Sequence, residues 1–191
     1  MRRRGFIAGM STPALALAAA KPARAAGENG RNERYGVSTI KSTAITRIGD
    51  QTLQELRDFH RQELFDKYIA LWLKSGIDWQ YGGTFPELNP EGDPSKSTDK
   101  EMYYQGRALW IFSYIYNHFG KDDRFLKAAR LTRDFCVKNC REGKYWISRF
   151  TRDGKKIEGS FNIYGDMYMV LGLAEYSMAT NSKEDMDLAI E

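Results

Sequence analysis

The chain has 191 residues and a net charge of +4, with 29 lysines and arginines against 25 acids. Five of the cations (Arg2, Arg3, Arg4, Lys21 and Arg24) fall in residues 1–25, where there is no acid, so the remainder carries a net −1. That leaves no basic stripe for a nucleic acid, and two histidines with no C-x-x-C pair argue against a zinc site.

The N-terminus reads as an address rather than as fold. Arg3-Arg4-x-Phe6-Ile7, a weakly apolar run to Ala20 and the A-x-A sequence Ala23-Arg24-Ala25 predict a twin-arginine export signal over residues 1–25. The apolar run is shorter than the ~20 residues of a spanning helix, so no membrane segment is expected after cleavage. A periplasmic or extracellular protein is the expectation. Residues 26–51 are polar, contain glycine and hold no lasting period, which predicts a linker or arm.

From Gln51 the character changes, and a helical pattern runs to about Lys74. Leu53, Leu56, His60, Leu64, Tyr68 and Leu71 fall on one stripe, and Gly76 is the stop; His60 on that stripe predicts a packed histidine, not a catalytic one. Gly76 to Ser97 is a long loop with three prolines and Gly82-Gly83, and Trp79, Tyr81 and Phe85 predict that it packs onto something, over the mouth of a pocket. Thr98-x-x-Glu101 predicts a capping box for the next helix, Asp99–Phe119.

That helix organises the chain because it is apolar on two opposite faces. One stripe is Gln105, Leu109, Phe112, Tyr116 and Phe119; the other is Tyr103, Arg107, Trp110, Tyr114 and Asn117. A surface helix has one apolar stripe and one wet face. Either the helix is packed on both sides with Arg107 reaching out to water, or its second face lines a cavity. In the second case rings would cover apolar sugar faces and the guanidinium would supply fixed donors.

Gly120 predicts a left-handed cap and Asp122-Asp123 a helix start, followed by a buried stripe of Phe125, Ala128, Ala129, Thr132, Phe135, Cys136 and Cys140. Cysteines four apart on one helical face present parallel vectors, which predicts two buried free thiols. Lys144–Glu158 predicts a β-hairpin turning at Asp153-Gly154, and Phe161–Thr180 a second long helix stopped by Asn181. At an offset of about 61 residues, that between Gly120 and Asn181, the pattern of helix, turn and helix repeats, placing Tyr164 and Tyr168 where Tyr103 and Arg107 stand. Met186, Ala189 and Ile190 begin a further stripe, so the sequence is expected to be the N-terminal fragment of a longer repeat array.

Trp72–Asp78, Tyr81-Gly-Gly, Gln105-Gly-Arg-Ala-Leu-Trp110, Tyr145-Trp146 and Asp166–Tyr176 resemble the N-acylglucosamine 2-epimerase family, whose members include cellobiose 2-epimerases and isomerases of mannose and sulfoquinovose. The resemblance covers about residues 52–191. It implies an all-α fold, a partial (α/α)6 barrel with one inserted β-hairpin, and a small-molecule sugar substrate handled without cofactor or metal. A histidine would remove the proton α to the opened sugar's carbonyl, and a second would return one. By the same resemblance Arg107 is the catalytic arginine that holds sugar oxygens and the developing enediolate charge, and Tyr103, Trp110, Tyr145, Asp166 and Tyr168 bind substrate. The oligomeric state is open, homodimers being common in the family. The family's two acid/base histidines come from later helices and neither His60 nor His118 matches them, so residues 1–191 alone are expected not to catalyse. His118, near a helix C-terminus, is expected to serve the dipole there. The alternatives are an exported α/α-barrel glycoside hydrolase or lyase, for which Asp99 and Asp166 are the available carboxylates, and a non-catalytic carbohydrate-binding remnant.

Overall fold

The structure, a computed structural model, describes residues 45–95 and 97–191. The predicted signal peptide, residues 1–25, and most of the predicted arm lie outside these residues. The described end of the arm is a small antiparallel ribbon, β1 (Arg47–Ile48) with β2 (Gln51–Thr52), turning at Gly49.

Helix α1 (Leu53–Gln62) begins in a capping box. The Thr52 hydroxyl accepts from the Glu55 amide at 3.1 Å, and the Glu55 carboxylate accepts from the Thr52 amide at 2.7 Å. The helix continues through two π-helical stretches, Glu63–Ile69 and Trp72–Gly76. It stops at Gly76 as predicted, where the Trp72 ring occupies the place of a side chain; a Cβ there would lie 1.9 Å from Trp72 Cε3. His60 corrects the sequence reading. It is exposed, its ring meeting that of Phe59 edge-on, because α1 stands at the rim of the fold and buries none of its residues.

The central helix, α2 (Met102–Phe119), starts three residues later than predicted and without the Thr98–Glu101 box. Lys100–Glu101 is instead a strand, β3, paired with Phe150 and Arg149, and the first helical amide, that of Met102, is met by the Ser148 carbonyl at 3.0 Å. Tertiary pairing thus supplies the partner that a local cap would have supplied. Gly120 ends α2 at φ 132° and ψ 142°, outside the left-handed helical region, and carries the chain directly to Asp122, which caps α3 (Asp123–Asn139). Every residue of the predicted α3 stripe, Phe125 to Cys140, is buried, and both cysteines are free thiols.

Two short ladders replace the single predicted hairpin. β4 (Arg141–Glu142) pairs with β5 (Tyr145–Trp146), and β6 (Arg149–Phe150) lies between β3 and β7 (Lys156–Glu158). The β6–β7 turn has three residues, Arg152 to Gly154, closed by the Thr151 amide on the Lys155 carbonyl at 2.8 Å, not the two-residue turn at Asp153-Gly154. The longer turn releases Arg152 toward the loop after α1, and Gly154, at φ 94°, lies where a Cβ would come 2.7 Å from that of Asn139. Asn162 caps α4 (Ile163–Thr180), Asn181 stops it as predicted and does so in the left-handed conformation, and Ser182 caps α5 (Lys183–Ile190).

The predicted repeat is visible as two helical hairpins, α2–α3 and α4–α5. Helices α2 and α4 run in the same direction, since Met102 meets Gly165 near their starts and Asn117 meets Glu175 near their ends. Leu109, Phe112, Ala129, Phe135, Met169 and Leu173 fill the core of these hairpins. The outward face of α4 (Met167, Val170, Leu171 and Met178) stays exposed, as do Leu64, Tyr68 and Leu71, so apolar faces of these helices are left open to solvent.

Gly106 sets the spacing of the two central helices. A Cβ there would lie 2.5 Å from the Tyr168 carbonyl carbon and 2.6 Å from the Met169 amide, and one on Gly172 would lie 2.9 Å from the Gly106 carbonyl oxygen. These contacts are with backbone, which no rotamer change relieves. Gly106→Ala is expected to cost about 1–3 kcal/mol as the helices separate, read as a lower urea midpoint, whereas the exposed Gly143 tolerates only the strain of its positive φ.

Candidate functional site

The sequence Gln105-Gly106-Arg107 sends three consecutive residues to three different neighbours. Gln105 is fully buried and meets the loop after α1: its Oε1 accepts from the Thr84 amide and its Nε2 donates to the Thr84 carbonyl, each at 2.8 Å. Gly106 admits α4. Arg107 points away from both, exposed, at the open face of α2.

There the guanidinium rests on two tyrosine faces. Its carbon lies 5.2 Å from the Tyr103 ring centre and 5.6 Å from that of Tyr168, within cation–π range, and the rings meet edge to face at 5.0 Å. Arg107 Nη1 donates to the Tyr103 hydroxyl at 3.1 Å, its one hydrogen bond among the described residues. The remaining fork of donors is free to meet a ligand's oxygens. On its other side Arg107 borders a cavity of about 560 Å³, walled by Trp72 and Tyr68 after α1, by Thr84, Phe85 and Pro86 of the loop, and by Trp110 and Tyr114 of α2.

Four of the predicted site residues therefore come together: Tyr103, Arg107 and Tyr168 as one cluster, and Trp110 beside it along the cavity wall, its ring 5.5 Å from that of Tyr114. The other two stand apart. Tyr145 is half exposed under the Lys144 ammonium, and no contact joins it to Arg107 among the described residues. Asp166, in the first turn of α4, accepts from the Trp146 amide at 3.2 Å, tying β5 to that helix. Tyr164 is exposed and does not share the Arg107 cluster that its repeat position suggested.

The carboxylates proposed for glycoside cleavage are engaged elsewhere: Asp99 faces Arg149 at 3.2 Å, and Asp166 serves Trp146. His118 Nε2 lies 3.4 Å from Glu175 Oε1, three turns along α2 from Arg107, or about 16 Å of helix. Among the described residues no three His, Cys, Asp or Glu side chains are placed to hold a metal, and no helix is long and apolar enough to cross a membrane.

One cluster had no signal in the sequence. Lys100 is fully buried, and its ammonium donates to Asp78 Oδ2 at 3.0 Å, the Gly82 carbonyl at 2.6 Å and the Arg152 carbonyl at 2.9 Å. Arg152 in turn grips Asp78 through Nε at 2.8 Å and Nη2 at 3.0 Å. Burial pushes the Asp78 carboxyl up, but Arg152, Lys100 and the Tyr81 amide overcome it and hold the group at about 2. For Lys100 burial works in the opposite sense and lowers the ammonium against the pull of Asp78. Three acceptors in reach match the three donors of the charged form. The cluster ties the loop after α1 to the β6–β7 turn and to the start of α2, and so holds the loop that walls the cavity. A lysine ahead of a helix start normally reads as solvated, and nothing in its spacing announces a partner 22 residues away.

Residues 83–191 match the N-acylglucosamine 2-epimerase (GlcNAc 2-epimerase) family. The chain is 30% identical over 134 residues to the cellobiose 2-epimerase of Dictyoglomus turgidum, covering 68% of this chain and 33% of that protein. It is 29% identical over 146 residues to the N-acylglucosamine 2-epimerase of Mus musculus, covering 74% and 34%. Among solved structures, a sugar epimerase from a ruminal bacterium superposes with a TM-score of 0.64 at 28% identity, covering 71% of this chain and 35% of that one. The solved structures it resembles include (α/α)6-barrel epimerases, and the chain spans about a third of the length of the curated relatives it matches. By sequence and by fold alike, the chain belongs to the N-acylglucosamine 2-epimerase family.

Proposed function

We propose that this chain is the N-terminal, sugar-holding part of a carbohydrate 2-epimerase or aldose–ketose isomerase, built as a portion of an (α/α)6 barrel. The observation that carries the proposal is Arg107, exposed on a cradle of two tyrosines at the rim of an aromatic cavity. The reaction is proton transfer α to the carbonyl of an opened sugar. Arg107 donates to the sugar oxygens and, as the proton leaves, to the negative charge that gathers on the enediolate oxygen. Donors aimed at developing charge lower the barrier more than they tighten the ground state. Tyr103 and Tyr168 hold the guanidinium and Trp110 offers a face to the sugar ring, while Tyr145 and Asp166 stand apart from that cluster. Neither His60 nor His118 reaches the reacting carbon, so the acid and base belong to later helices. Arg3-Arg4 and Ala23-Arg24-Ala25 support export by the twin-arginine route before the protein acts.

Heavy water tests this. The gene's complete product is incubated with cellobiose, N-acetylglucosamine and mannose in D2O, and C2 is followed by NMR. Deuterium at C2 without glycosidic cleavage is expected, and residues 1–191 alone should bind the sugar without exchange. Cleavage with no exchange would sink the proposal and favour a hydrolase or lyase.

A further inference from the structure

We infer that Gln105 is a positioning residue for the Arg107 site, its buried amide fixing Thr84–Pro86 as a wall of the cavity. The inference rests on the reading of Arg107 as the sugar-holding group. Thr84 has both backbone groups buried and away from water, and the amide of Gln105 satisfies the two together, donor to carbonyl and carbonyl to donor, as a neighbouring strand would. A side-chain amide does this where a carboxylate has no donor and an ammonium no acceptor. The fit is close: a Cβ on Gly83, at φ 77°, would come 2.5 Å from Gln105 Oε1.

The rest of the loop is held by other means. The Thr84 hydroxyl and the Phe85 amide bond the Gly76 carbonyl, and Asp78 is clamped by Lys100 and Arg152. These contacts close the loop on itself and fasten its far end. Among the described residues Gln105 alone ties Thr84's backbone to α2 by hydrogen bonds, two residues from Arg107 on the same rigid helix. The distance between the guanidinium and the wall formed by Thr84, Phe85 and Pro86 is therefore set within a single turn of helix. Gln105 does not touch the sugar. It decides how wide the space beside Arg107 is, which makes its effect one on binding rather than on the chemical step.

The test uses the complete enzyme and two variants, read by amide hydrogen exchange over residues 82–86 and by KM and kcat for C2 exchange. Gln105→Met removes both bonds at nearly constant volume. It should speed exchange of the Thr84 amide at least about tenfold, the worth of one lost hydrogen bond, and raise KM by about the same factor with kcat within twofold. Gln105→Asn keeps both amide groups but is one methylene too short to hold Thr84 as Gln105 does. It should fall between the unsubstituted enzyme and Gln105→Met, and it decides the matter if Gln105→Met does not fold. An unchanged KM, or a Thr84 amide that stays protected, overturns the role of Gln105 while leaving Arg107 in place. If the unsubstituted enzyme binds no aldose, the reading of Arg107 fails, and the positioning role falls with it.

Discussion

Asp78→Ala is expected to lower the stability of this chain by about 3–5 kcal/mol, the range for removing one member of a buried ion pair and leaving the other charged and unmatched. Lys100 has no access to water and keeps only two carbonyls after the substitution, while Arg152 loses both of its bonds to the carboxylate. Urea unfolding should show the loss as a lower midpoint at constant slope. The double variant Asp78→Asn/Lys100→Met should recover part of it, because the uncompensated charge is gone. A loss below about 1 kcal/mol would mean that Lys100 finds another partner or sheds its proton cheaply.

The same carboxylate gives the stability a pH dependence of known sign. The Asp78 carboxyl is held at about 2 when folded, against an ordinary value of 3.8. The unfolded chain therefore takes up the proton first as the medium is acidified. The contribution, about 2 kcal/mol by linkage, is fully present above pH ~4 and disappears as the pH falls toward ~2. In Asp78→Asn this part of the acid transition should be missing.

If the proposed function holds, Arg107→Met is expected to reduce C2 deuterium exchange by about 10²–10³-fold in the complete enzyme, the loss that follows removal of a donor aimed at developing charge. Arg107→Lys should restore little of it. An ammonium keeps the charge but not the planar fork, and it does not stack on Tyr103 and Tyr168 in the same way. Both variants should fold normally, with stability within about 0.5 kcal/mol of the unsubstituted chain, since Arg107 is exposed and lends no side chain to the core. That pairing of lost turnover with kept stability separates a chemical role from a packing one. A kcat within threefold of normal would remove Arg107 from the reaction.

What could be read from the residues alone was whatever depends on local period and local capping. The buried stripe of α3 from Phe125 to Cys140, the end at Asn181 and the two apolar faces of α2 follow from a 3.6-residue repeat and from the left-handed conformation open to Asn, and the end at Gly76 was legible as a glycine although the Trp72 ring is what requires it. Resemblance in the Gln105–Trp110 segment carried the family. The Arg107 cluster with Tyr103 and Trp110 was legible because four- and three-residue spacing on one helix is a statement about one face.

The tertiary structure decided what depends on partners far along the chain. Period reveals that a position is buried, but not what it touches. Gln105 appeared as one more member of an apolar stripe, yet it is a polar clamp on a residue 21 positions earlier. Glu101 looked like half of a capping box and became part of a strand, because Arg149 and Phe150 offered it a ladder. His60 lay on a regular stripe and is nevertheless wet, since no layer covers α1 there. Lys100 carried no pattern at all. Its burial is possible only because the fold brings a carboxylate and two carbonyls within 3.0 Å of one nitrogen, and no sequence spacing encodes that convergence.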